Sequence, residues 1–168
     1  GRGIGAFDAG LADLLACPSS RSYERLMVAL LQSRALKGED AATRATAIAR
    51  QAESLVLPSI QVLALVRAAD AGESTELAAQ ALEMLDIVQP LMGYAPGLRW
   101  RMLRLCLAAG DETRTDELIA LAAAIEETCR TQVPEPFRDS FLQRNAANRD
   151  ILAAAARLRA NPMGSLRR

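Results

Sequence analysis

Arg99-Trp100-Arg101-Met102-Leu103-Arg104 places three arginines and the chain's only tryptophan on one short stretch. Trp100 and Arg104 are four residues apart, so on a helix they share a face. Guanidinium forks bind carboxylates and an indole buries a large apolar area, which suits an acidic or carboxylate-bearing peptide. Tyr94 stands just before this stretch, and Arg67 falls in the preceding repeat unit described below. The candidate partner-binding residues are therefore Trp100, Arg101, Arg104, Arg67 and Tyr94. The same residues also have a structural reading, in which Trp100 fills a gap between helix pairs and the arginines form a solvated helix face.

Groups that could carry catalysis are missing. The chain has no histidine, which excludes Ser-His-Asp and Cys-His arrangements and removes the commonest zinc ligand. Its three cysteines, Cys17, Cys106 and Cys129, have no CxxC spacing, and an odd number cannot all pair within one chain. Cys106 lies in an apolar helical run, as a small core residue does, and reduced thiols fit an intracellular setting. No GxxxxGK[ST] occurs, nor a GxGxxG between strand and helix, so phosphate cradling lacks its parts. Of the paired acids, Glu39-Asp40 and Asp111-Glu112 open helices, where negative charge favours the macrodipole; Glu126-Glu127 is a third pair. These observations predict a chain that is not an enzyme and takes no cofactor or metal.

The charge balance excludes a further class. Twenty basic residues stand against 20 acidic ones, without the basic footprint of a nucleic-acid binder. No uninterrupted apolar run reaches membrane-spanning length, and no secretory signal opens the chain. A cytoplasmic location follows as an expectation. The chain begins Gly1-Arg2-Gly3 without methionine, which suggests a fragment of a longer protein.

The elements that must position these residues read as helices. Hydrophobic residues make up 51% and aromatics only 4%; much of the apolar content is alanine, the best helix former, which lets helices approach closely. Pro18, Pro58, Pro96 and Pro134 are separated by 40, 38 and 38 residues, and proline is tolerated in a helix's first turn. Gly38, Gly72 and Gly110 are 34 and 38 residues apart, each followed by an acid. A glycine in a left-handed turn can end one helix, and the acid then starts the next. The apolar period is helical throughout, as at Leu77, Ala81, Met84 and Val88, or Leu98, Met102 and Leu105. The pattern predicts an opening helix at 6–16 and then pairs at 20–37 and 40–55, 58–71 and 74–89, 97–109 and 112–132, and 135–143 and 147–160. Phe137 and Phe141, four apart, are expected as core aromatics that close the stack, and Asn145 and Asn148 as helix caps.

The 34–40 residue period, the Gly-acid turn within pairs and the proline between them resemble the tetratricopeptide repeat family. The resemblance covers about residues 20–132. It departs from the family pattern at Arg99, where a large aromatic belongs, at Leu31, Leu65 and Leu103, where a small residue is typical, and at Thr43, Leu77 and Thr115, where alanine is expected. It implies an all-α, right-handed superhelix of antiparallel hairpins with about eight or nine helices, repeats at 18–57, 58–95 and 96–133, and a capping pair at 134–160, all in one domain spanning 1–168. On that pattern the Trp100 face lines a concave groove.

The tail, Val133 to Asn145 and then Asn148-Arg149-Asp150-Ile151-Leu152, is similar to the segment that closes helical-repeat regions in large bacterial signalling and transcriptional regulators, where such repeats adjoin an AAA- or STAND-type ATPase, a cyclase or a kinase. This resemblance implies a regulatory scaffold that binds a protein, an acidic peptide, a domain of the same protein or a second copy of itself, and neither nucleic acid nor membrane. Two other readings stay open: a small-molecule sensor with a pocket inside the superhelix, and a structural dimerisation spacer.

Overall fold

A computed structural model describes residues 22–90 and 93–160. The opening helix expected at 6–16, with Cys17 and Pro18, lies outside the described residues. Among the described residues there are seven α-helices, two short 3₁₀ turns and one π turn, and no strand. The chain divides into two compact units, Gly1–Leu91 and Met92–Arg168. None of the described helices is long and apolar enough to cross a membrane.

The first unit contains α1 (Ser22–Ser33), α2 (Gly38–Ser54), α3 (Pro58–Gly72) and α4 (Thr75–Ile87). α2 buries Ala41, Ala45, Ile48, Ala49 and Ala52. This nearly all-alanine stripe at helical spacing brings the neighbouring backbone close. The neighbour is α3, which buries Ile60, Val62, Ala64, Leu65, Val66, Ala68 and Ala69 and is apolar almost all round, as a helix covered on several sides must be. The most extensive seam in the unit joins α2 to α3, across the proline at 58 and between the two expected pairs. α1 packs on both α2 and α3, and α4 on α3.

The turns follow the expected punctuation with two corrections. Gly38 (φ +55°) is left-handed, but it does not end α1, which stops at Ser33; it is the first residue of α2, and Pro58 opens α3. Gly72 does not end its helix left-handed. The left-handed residue is Glu73 (φ +50°), and Ser74 N–H closes the turn on Ala69 O at 3.0 Å. Gly72 instead marks a close approach, since a Cβ there would stand 3.2 Å from the Cβ of Ala42. At the α2–α3 turn, Leu57 N–H bonds Ala52 O (2.9 Å) and Val56 N–H bonds Glu53 O (3.0 Å). That is the Schellman pattern, with Val56 (φ +55°) in the place glycine usually takes.

The second unit contains α5 (Ala95–Ala108), a 3₁₀ turn (Glu112–Arg114), α6 (Thr115–Gln132), a second 3₁₀ turn (Glu135–Phe137), a π turn (Ser140–Arg144) and α7 (Ala146–Ala160). α5 closes on Gly110 (φ +89°), with Asp111 N–H to Cys106 O and Gly110 N–H to Leu107 O, both at 3.0 Å. α6 buries Leu118, Ala122, Ile125 and Cys129 and packs most extensively on α7, which buries Asn148, Ile151, Ala154 and Ala155. The expected helix at 135–143 is not regular. Pro134 and Pro136 remove two main-chain donors, and the segment passes through a 3₁₀ and a π turn before Asn145 starts α7.

Candidate functional site

α5 carries the arginine–tryptophan stretch. Tyr94 precedes its first residue and Pro96 sits in the first turn. Leu98, Met102, Leu103, Cys106 and Leu107 face inward. At 100° per residue, Arg104 then falls opposite Met102 and Cys106, while Trp100 stands beside Leu107 at the edge of the buried face. Trp100 and Arg101 are half-buried and Arg104 is exposed.

The other two candidates hold the fold together. Arg67 belongs to the first unit, where its Nη2 donates to Ser33 O (2.9 Å) and Leu36 O (2.8 Å). Those carbonyls close α1, and a helix C-terminus favours a cation that satisfies its free acceptors. Tyr94 Oη donates to Asn148 Oδ1 at 2.6 Å within the second unit. Arg138 repeats the role of Arg67: its Nε donates to Val133 O (3.1 Å) and its Nη2 to Arg130 O (3.0 Å), closing α6.

The tail departs most from expectation. Asn145 is a cap, its Oδ1 accepting from the N–H groups of Ala147 (3.1 Å) and Asn148 (3.3 Å). Asn148 is no cap: it has 0% exposure and its Nδ2 donates to Phe141 O at 3.0 Å. Phe137 is 63% exposed and does not close the stack. The irregular backbone after Pro134 and Pro136 takes it out of register with the buried faces. It borders a surface cleft of about 510 Å³ lined by Pro136, Phe137, Asp139, Ser140, Gln143 and Arg144. An exposed aromatic beside both charge signs and two uncharged polar groups can anchor a partner side chain and orient it by hydrogen bonds. The two prolines two residues apart are the sequence signal for this irregularity. Asn148, at the spacing of Ile151 and Ala155, is the signal for a buried polar contact.

Comparison with family models, curated proteins and solved structures finds no match to this chain. The chemistry therefore rests on the residues themselves. Among the described residues no group of His, Cys, Asp and Glu could hold a metal ion. Burial pushes the Cys106 thiol above its ordinary pKa, and the nearby positive charge of Arg114 opposes this only in part. Such a thiol is a weak nucleophile near neutral pH. Hydrogen bonding to Glu117 raises the pKa of Arg114, which also pairs with Asp111 Oδ2 at 3.6 Å. This group braces the 3₁₀ turn against the first turn of α6.

Proposed function

We propose that this chain is a protein–protein interaction module, a helical scaffold region of a larger bacterial signalling or transcriptional regulator, which acts by reversible binding and carries no catalysis of its own. The observation that supports it best is the cleft beside Phe137. A large aromatic at 63% exposure, rimmed by polar side chains, has the make-up of a binding anchor and not of a core residue. The partner is a segment of another protein or of an attached domain. Trp100, Arg101 and Arg104 on α5 offer a second surface suited to acidic groups.

A displayed peptide library selected on the chain tests this reading. Enriched peptides should bind the wild type, and Phe137→Ala should weaken them at least about tenfold, the loss typical of an interface anchor. Selection of acidic peptides sensitive to Arg104→Glu and not to Phe137→Ala would move the site to α5. No enrichment over an unrelated helical protein would overturn the reading.

A further inference from the structure

Asn148 has no exposed surface and sits in α7 at the spacing of its apolar stripe, with Ile151 and Ala155. A carboxamide there is costly unless its hydrogen bonds are made. The bonds that meet it fix its orientation. Phe141 O is a carbonyl and can only accept, so Nδ2 faces it, at 3.0 Å. Oδ1 then faces Tyr94, whose hydroxyl must donate, at 2.6 Å. One side chain thus joins the start of α5, the π turn and α7.

Two glycines lie near Tyr94 in the chain. Gly93 turns the chain at φ +104°, and a Cβ there would meet Leu98 Cδ1 at 3.3 Å. A Cβ on Gly97 would stand at ordinary contact distance, 3.4 Å, from both Tyr94 Cδ1 and Ala147 Cβ, which places the ring beside the first turns of α5 and α7. Tyr94 keeps 40% exposure, while the Asn148 side chain that it bonds has none. Phe141 lies between Ser140 and Gln143, both of which line the Phe137 cleft.

We propose that Tyr94 and Asn148 form a latch that holds the π turn in place and couples the backbone at Gly93–Tyr94 to the shape of the Phe137 cleft. π turns inside helical runs are uncommon and are frequent at functional sites. Here the turn's own carbonyl is held from outside, by a side chain whose other bond reaches 54 residues back along the chain. Closing the latch favours one form of the turn, and whatever displaces Tyr94 favours the other. Its importance for binding rests on the function proposed above, but its test reads the turn alone.

The test is hydrogen exchange on the whole chain, wild type against Tyr94→Phe, which removes one oxygen and leaves the ring. The latch requires that amides in 139–145 exchange at least about tenfold faster in the variant, while 118–129 in α6 and the α2–α3 seam keep their rates. Asn148→Ala, where it folds, should give the same pattern. Unchanged exchange in 139–145, or an equal rise across α6, would overturn the latch. Either result leaves the binding reading to the peptide selection.

Discussion

Gly72 of α3 packs its bare Cα on Ala42 of α2, so closely that an added Cβ would stand 3.2 Å from that methyl. The next residue, Glu73, takes a left-handed conformation without being glycine. Two adjacent positions thus carry opposite demands. Gly72→Ala gains about 1 kcal/mol in helix propensity but overpacks a seam where such insertions cost about 1–3 kcal/mol. Its unfolding midpoint should fall. Glu73→Gly relieves left-handed strain and should raise stability by about 0.5–1 kcal/mol after the added entropy of the unfolded chain. Chemical denaturation of the two single variants reads both signs.

Val56 carries the more severe strain. It is β-branched, left-handed and 83% exposed, so no packing of its side chain compensates for its backbone. Val56→Gly should raise stability by about 1 kcal/mol, a larger gain than Glu73→Gly. An equal or smaller gain would mean that the branched side chain adds no strain beyond that carried by Glu73, and a loss would mean that the unfolded-state entropy of glycine outweighs the strain removed.

Arg67 closes α1 through two carbonyls 31 and 34 residues away in sequence. Arg67→Met keeps the aliphatic stem and removes the donors, so Ser33 O and Leu36 O lose their side-chain partner. A loss of about 1–3 kcal/mol is expected. Arg67→Lys should restore only part of it, since an ammonium lacks the planar fork. Faster hydrogen exchange confined to α1 and its following turn would locate the effect.

Helix content and most boundaries were legible from Pro58, Pro96, Gly38 and Gly110, because ring closure and positive φ act locally. Gly72 was misread because the same residue type serves a turn and a close contact, and only the position of Ala42 tells them apart. Arg67 and Tyr94 group with the arginine–tryptophan stretch by position, one in the preceding repeat and one just before the stretch; their hydrogen bonds to Ser33, Leu36 and Asn148 join residues far apart in sequence and leave no local pattern. Phe137 and Phe141 share a face only on a regular helix, and the prolines at 134 and 136 had already removed that regularity.

The Cys106 thiol makes stability depend on pH. Its pKa is raised mainly by burial, so the folded chain holds the proton to higher pH than the unfolded chain does. Its contribution is whole below the unfolded thiol's pKa of about 8.5 and is lost as pH rises through the folded value. Denaturation of wild type and Cys106→Ala from pH 7 upward should show the wild type's advantage constant at first and shrinking above about pH 8.5. A difference that stays constant through pH 10 would contradict the assignment.

Phe137→Ala tests the central claim most directly, with stability and peptide capture measured on the same protein. A residue at 63% exposure that serves as a binding anchor should leave the unfolding free energy within about 0.5 kcal/mol of wild type while capture of the selected peptides falls at least about tenfold. A stability loss of about 3 kcal/mol or more, the range for a core phenylalanine, with capture unchanged, would show that Phe137 closes the helical stack and that the cleft is not the binding site.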